Sequence, residues 1–307
     1  MKTNAYRPSG AADPIVKRLR RLVKGSPDLK DGAQLYETIL PILRDTDLSP
    51  APVALTRDQA RVKMEAGLPL LHDLDLELDI AAAGELMLRL ARAAEKTAMK
   101  KQTHRWMMPW LGGSHKPGIA ARRVRLALEE DRFAAAILPH IAAGESDAVT
   151  SATQGLELSP NLVRTLAQNA LKPALRAWCR QLTPLAEGIE WHRGYCFICG
   201  AVPTLGELQE NDQVKHLRCG SCGADWRSPR LQCMYCGNED HNSQHCLYAE
   251  GKAERTRVEV CDKCRGYLKV IASFTPAAPE MLDVEDLATL HLDYIAQERG
   301  YARLAVP

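Results

Sequence analysis

Several things are scarce or missing in this 307-residue sequence. No apolar run reaches the roughly 18 residues that a membrane-spanning helix needs. The opening stretch, MKTNAYRPSGAADPIVKRLRRLVKG, has no apolar h-region and no small-residue cleavage site. The expected location is therefore the cytoplasm. Neither sign of charge is in excess: 40 Lys and Arg stand against 38 Asp and Glu, for a net charge of +2. That is too little to point to nucleic acid or to an anionic membrane surface. Aromatic residues make up only 5%. There is no P-loop, no GxGxxG opening a helix, no GxSxG and no HExxH. Cysteine is nearly absent before residue 193, where Cys179 stands alone.

After that point there are nine cysteines, and eight form four pairs: CFICG from 196, CGSCG from 219, CMYCG from 233 and CDKCRG from 261. In a reducing compartment such pairs read as metal or redox sites rather than disulfides. A CxxC-Gly turn is a metal knuckle. Its two thiolates reach one ion, and the Gly tolerates the positive φ that keeps the backbone close. Two knuckles supply four thiolates, which suits tetrahedral zinc or a single rubredoxin-type iron. The fourth knuckle departs from the pattern, because Arg265 follows Cys264 and Gly266 comes one place later. Either that turn is looser or Arg265 sits beside the negative charge of a four-thiolate site.

Spacing indicates which knuckles pair. Nineteen residues separate Cys199 from Cys219, and they read TLGEL, the turn-forming QEND, then VKHLR. Twenty-four separate Cys236 from Cys261, and they read CLYA, EGK, then ERTRVEV. Each is a strand, a turn and a strand. Knuckle–hairpin–knuckle thus occurs twice, as an internal duplication. The expected first site is Cys196, Cys199, Cys219 and Cys222. The expected second site is Cys233, Cys236, Cys261 and Cys264. Interleaved pairing is the alternative, and it would separate each hairpin from its own knuckles. His241, His245 and Cys246 lie near the third knuckle and are read as surface or packing residues. Cys179 is read as a small buried apolar residue on a helix.

Before residue 183 the pattern is helical. Pro14 opens a helix with Ile15, Leu19 and Leu22 at helical spacing, and the basic run Lys17 to Arg21 reads as its solvated face. Residues 31–44 give a second helix, bent or broken at Pro41. Thr56 and Gln59 resemble a capping box for a helix that Gly67 ends. Longer patterns cover 79–100 and 118–143. Ser159 as cap and Pro160 at the first helical position start a helix reaching Leu182. The segment 104–118, HRWMMPWLGGSHKPG, holds Trp106 and Trp110. Its Trp residues either pack between helices or form a partner surface, and packing is the plainer expectation. Toward the C-terminus, residues 285–299 form a helix with Leu287, Leu290, Tyr294 and Ile295 on one stripe, expected to pack on its own domain.

Many four-cysteine ribbons bind nucleic acid through a basic face. Here residues 187–269 hold eleven Lys and Arg against twelve Asp and Glu, which speaks against such a face. A four-thiolate site leaves no open position for water, so metal-assisted hydrolysis is not expected. A closed site still passes an electron if the metal is iron.

From about 191 to 303 the sequence resembles the formate dehydrogenase accessory proteins, the FdhE family. The resemblance is carried by CFICGAVPTLGEL, LRCGSCGADWRSPRLQCMYCGN, VEVCDKCRGYLKVI and EDLATLHLDYIAQERGYAR. These stretches include the Trp226–Arg227 link between the two units, the Gly266-Tyr267-Leu268-Lys269 exit and the closing Gly300-Tyr301-Ala302-Arg303. The resemblance implies an α+β protein, with an N-terminal all-α helical domain (1–186), rubredoxin-like metal units at 187–230 and 231–275, and a C-terminal helix within 276–307. It implies a non-enzymatic cytoplasmic factor required for active formate dehydrogenase. Such a factor binds the catalytic (alpha) subunit before twin-arginine export and is absent from the finished enzyme. It also implies metal at the CxxC cysteines: iron in two mononuclear sites, each with four cysteine ligands, and zinc as the alternative. Nucleic-acid binding and membrane insertion are not expected, and self-association is left open. The competing readings are a rubredoxin-like electron carrier acting alone and, behind it, a zinc-ribbon nucleic-acid-binding protein.

Overall fold

Local capping chemistry sets several helix starts in the computed structural model, which describes residues 13–48, 50–102, 117–142, 145–154, 156, 158–209, 213–249 and 255–304. The Trp-bearing segment 103–116 and the expected hairpin tips at 210–212 and 250–254 lie outside the described residues. The Asp13 carboxylate accepts from Ile15 N at 2.8 Å and starts α1 (Pro14–Gly25), which buries Ile15, Val16, Leu19 and Leu22. In its basic run, Arg18 is not merely solvated. Both ends of its guanidinium donate to Glu285 at 2.7 Å. α2 (Lys30–Asp45) runs unbroken past Pro41. The expected capping box of α3 (Arg57–Glu65) is present with both of its bonds, and Gly67 follows at φ 75°. α8 (Pro160–Leu182) starts at Ser159 and Pro160 and ends where expected.

Between α3 and α8 the expectation is only partly met. α4 (Ile80–Gln102) is one helix, but the 118–143 pattern is two: α5 (Pro117–Leu128) and α6 (Asp131–Ala142). α5 buries Ala121, Val124 and Leu128, whereas α6 buries Ala134, Ile137 and Leu138. A single straight helix would place its next apolar residues near 131, 132 and 135, so the stripe changes phase. The turn at Glu129–Glu130 absorbs that change. α7 (Ser146–Thr153) is a further helix.

Two compact units account for the chain. One comprises Lys30–Ala51 and Glu77–Ala177 and is wholly helical among the described residues. α4 is its centre, packed on α2, α5 and α6, with Leu86, Met87, Leu90 and Ala91 almost completely buried. Arg125 clamps α5 to α4 through Glu95 at 2.6 Å. The other unit comprises Met1–Leu29, Pro52–Leu76 and Trp178–Pro307 and contains all ten cysteines.

The second unit is built on one sheet. Its strands are β1 (Leu205–Gln209), β2 (Val214–Arg218), β3 (Asp225–Arg227), β4 (Gln244–Leu247), β5 (Thr256–Cys261) and β6 (Tyr267–Ser273), in the order β3-β2-β1-β6-β5-β4. Both expected hairpins are present, as the antiparallel pairs β1–β2 and β4–β5. Each repeat adds a third antiparallel strand after its second knuckle, β3 in the first and β6 in the second. The repeats fuse through a parallel pair, with Gly206 opposite Val270 and Leu208 opposite Ala272. The first strand of one repeat therefore meets the third strand of the other. The duplication is a step along the sheet, not a rotation.

Two helices, rather than one, follow the sheet: α9 (Pro279–Ala288) and α10 (Leu290–Glu298), broken at Thr289. α10 buries Leu292 and Ala296 against Val258, Val260, Tyr267 and Tyr301. Ile295 packs at the edge of this cluster, while Tyr294 is exposed. The break at Thr289 rotates the expected stripe, and the helix does pack on its own domain.

Charge also anchors this end. Lys269 on β6 is fully buried, and its Nζ lies 2.6 Å from Asp293 and 2.9 Å from Asp286. Tyr267 donates to Asp293 at 2.8 Å, and Arg303 reaches both carboxylates. Burial pushes the Asp286 carboxyl up, but Lys269 and Arg303 outweigh it and hold the group below its ordinary range. Removing one member of such a pair strands the other in a low-dielectric interior. Lys269→Met or Asp293→Leu alone should therefore destabilise the fold by about 3–5 kcal/mol, and the double variant by clearly less. Urea unfolding of the three variants checks this. Because the folded Asp286 carboxyl titrates below its unfolded value near 3.9, its contribution is intact above about pH 4 and fades as pH falls further.

Candidate metal centres

Each cluster is assembled from two tight turns at the ends of one hairpin. The four turns share one backbone pattern. Gly200 N donates to Cys196 O, Gly223 N to Cys219 O and Gly237 N to Cys233 O, each at 2.9 Å, and Arg265 N to Cys261 O at 2.8 Å. A second bond closes each turn: Cys196 N to Ala201 O, Cys219 N to Ala224 O, Cys233 N to Asn238 O and Cys261 N to Gly266 O. The closing residues all have positive φ: 74° at Gly200, 84° at Gly223, 68° at Gly237 and 60° at Arg265. The fourth turn is thus no looser than the others. Arg265 occupies the left-handed position that Gly fills elsewhere, at the cost of roughly 1 kcal/mol of backbone strain. Its guanidinium sits 3.9 Å over the Tyr301 ring and donates to Arg299 O, tying the C-terminal tail to the knuckle.

These turns bring the sulfurs of Cys196, Cys199, Cys219 and Cys222 within 4.8 Å of one another, and likewise those of Cys233, Cys236, Cys261 and Cys264. Each hairpin closes on its own knuckles, not on its neighbour's. The Cys196–Cys222 and Cys199–Cys219 sulfurs are 3.5 and 3.6 Å apart. In the second cluster Cys233–Cys264 and Cys236–Cys261 are 3.6 and 3.8 Å apart. A disulfide would need about 2.05 Å. A tetrahedron with metal–sulfur bonds of about 2.3 Å has sulfurs ~3.8 Å apart, so the donor sets fit a tetrahedral ion. Two four-cysteine clusters that can hold metal ions are therefore present, and cysteine ligation alone does not choose iron or zinc.

The thiols also compete for protons. Burial drives Cys196 well up, while S–H groups of Cys196, Cys199 and Cys222 hold Cys219 well down. In the second cluster burial raises Cys261, but the N–H groups of Cys264 and Lys263 and the Asn238 amide outweigh it and lower the thiol to about 7. Four crowded thiols cannot all ionise without a cation between them, and a dication makes all four thiolates.

In the first cluster Cys196, Cys219 and Cys222 are buried and Cys199 is half-buried. Leu70 N and Leu71 N donate to Phe197 O and Ile198 O at 2.7 and 2.9 Å, and Tyr195 Oη donates to Gly67 O at 2.7 Å. The segment after α3 thus holds the first knuckle. Trp226 Nε1 donates to Arg193 O at 3.1 Å, and the Trp226 ring meets Phe197 edge-on. Cys179 is buried next to Cys222, and its sulfur lies 3.7 Å from the Thr183 hydroxyl. It backs the first cluster, which its helical setting in the sequence did not disclose. Cys246 is exposed and outside both clusters, and His245 is held by Asp262 at 2.9 Å.

Comparison with known proteins agrees with this arrangement. A family model, FdhE C-terminal domain, matches residues 231–307. The FdhE homologue of Stutzerimonas stutzeri is 33% identical over 152 residues, which is 48% of this chain and 48% of that protein. The homologue of Aquifex aeolicus is 27% identical over 150 residues, 48% of this chain and 52% of that protein. The FdhE protein of Escherichia coli O127:H6 is 31% identical over 117 residues, 37% of each. The chain thus spans about half the length, or less, of the curated relatives it matches. The crystal structure of the FdhE protein from Pseudomonas aeruginosa superposes over 94% of this chain and 91% of that one, with a TM-score of 0.57 and 25% identity. Residues 231–307 thus match the FdhE C-terminal domain, and the chain is similar in sequence and in fold to FdhE proteins.

Proposed function

We propose that this chain is an accessory factor for formate dehydrogenase, that it binds the enzyme's catalytic subunit in the cytoplasm before export, and that both four-cysteine clusters hold a metal. The match of residues 231–307 to the FdhE C-terminal domain and the likeness to FdhE proteins support the accessory role. The convergence of eight cysteines into two complete tetrahedral donor sets carries the metal reading. Cys196, Cys199, Cys219 and Cys222 hold the first ion, and Cys233, Cys236, Cys261 and Cys264 the second. Four thiolates fill the coordination shell and leave no position for water or substrate, so the chain acts by binding and not by hydrolysis. Iron in these sites would add one-electron chemistry, and zinc would add shape alone. Either metal fixes the two knuckles of each repeat, and through them the surface a client meets. No helix among the described residues is long and apolar enough to cross a membrane.

Protein purified without oxygen should carry two metal ions per chain by native mass spectrometry, and Cys219→Ser should carry one. An unchanged count in that variant would remove Cys219 from the ligand set. Affinity-tagged chain should co-purify with the catalytic subunit of formate dehydrogenase. If no complex forms, and cells lacking the chain keep full formate dehydrogenase activity, the accessory reading is wrong.

A further inference from the structure

The two clusters share their ligands, turns and hairpins, but not their surroundings. In the first, Cys196 and Cys219 are 0% exposed, Cys222 is 2% exposed and Cys199 is half-buried. In the second, Cys236 is exposed and Cys264 is half-buried, and only Cys233 and Cys261 are covered. The knuckle glycines give a separate measure. A Cβ placed on Gly200 would lie 3.2 Å from Pro69, and one on Gly223 would lie 2.9 Å from Pro279. One on Gly237 would meet nothing within 4 Å. The glycine of each knuckle in the first cluster is roofed by a proline from elsewhere in the chain, and the glycine of the third knuckle is bare. Beside it, Leu231 is also exposed.

We propose that the second cluster is a metal-exchange site that trades its ion with a thiol ligand through Cys236, whereas the first cluster keeps its ion for as long as the chain is folded. This rests on the reading that both clusters hold metal. Substitution at a filled tetrahedral site requires an incoming ligand to reach the ion before the old one has left, so an open face sets the rate. At the second cluster that face is the Gly237 side of the third knuckle, where Cys236 is exposed. The sulfur of an incoming thiol bonds to the metal and the metal–Cys236 bond breaks. The proton of the incoming thiol ends on the Cys236 sulfur. The metal keeps its charge and no electron moves. Cys264 is the next most accessible ligand and leaves second, and the covered pair Cys233 and Cys261 releases the ion last. Loading runs in the opposite order. At the first cluster an incoming thiol meets the segment 67–71, Pro69, Pro279 and Cys179 instead.

The test uses the whole chain loaded with zinc to two ions per chain, confirmed by native mass spectrometry. It is then challenged with the chromophoric chelator 4-(2-pyridylazo)resorcinol in the presence of glutathione. One equivalent should leave faster than the other by roughly tenfold or more. Iodoacetamide added after the fast phase, followed by peptide mass spectrometry, should find Cys233, Cys236, Cys261 and Cys264 alkylated and Cys196, Cys199, Cys219 and Cys222 protected. Exposed Cys246 should be alkylated before and after, as the internal reference. Release of both equivalents at one rate overturns the proposal, as does fast-phase labelling of the first cluster. A chain that never takes up two zinc ions contradicts the metal reading itself, and this is seen before the chelator is added.

Discussion

Four sulfur atoms held within 4.8 Å of one another, twice over, are the constraint around which the cysteine-bearing unit is arranged. Each cluster needs two turns delivered to one point from opposite ends of a hairpin. The turns are rigid because the same pair of backbone bonds closes each of them, and because each ends on a residue with positive φ. Small ribbons of this kind commonly depend on their metal for folding. Here the sheet has further support. α10 and the C-terminal tail bury Val258, Val260 and Tyr267, and α9 brings Leu282 onto Leu205 and Ile271. An ion in each cluster would therefore shape the ends of the hairpins, while apolar burial holds their middle.

Fusing the repeats through β1 and β6 creates the unit's other demand, because it puts polar side chains inside. Glu207 on β1 is completely buried beside that junction. It is paired with Arg218 on β2, and it accepts from Ser273 on β6 at 2.7 Å and from Ala277 N at 2.9 Å. Lys215 on β2 reaches Glu259 on β5 at 3.1 Å, linking the two repeats directly. A buried carboxylate or ammonium without such partners would cost several kcal/mol, so these contacts set the register in which the repeats can join. Close backbone approach adds to this. A Cβ on Gly194 would lie 1.7 Å from Met234 O, so the entry to the first knuckle and the turn of the third can meet only at glycine.

How much of this the sequence revealed depended on the range of each interaction. The knuckles, both hairpins and the caps at Thr56 and Ser159 rest on residues a few positions apart, and spacing alone located them. Which knuckles pair was also readable, because a hairpin returns the chain to its starting point. The β1–β6 pair was not readable, since nothing local marks Gly206 as the partner of Val270. The role of Arg265 was obscured because a positive φ is invisible when the residue is not Gly. Lys269, Glu207 and Lys215 are buried through tertiary ion pairs that no local pattern marks. The α5–α6 break and the turn at Thr289 show that a stripe read at a fixed helical period fails wherever the helix stops. The burial of Cys179 on a helix was readable, but its place beside Cys222 was not, because one cysteine on a helix has no spacing to interpret.

The claim on which the account depends is that both clusters are complete, all-sulfur tetrahedral metal centres. X-ray absorption at the edge of the bound metal, on protein purified without oxygen, addresses it directly. The account predicts a single shell of four sulfur scatterers at about 2.3 Å, with no nitrogen or oxygen contribution. A shell containing nitrogen or oxygen, or fewer than four sulfurs per metal, would contradict it.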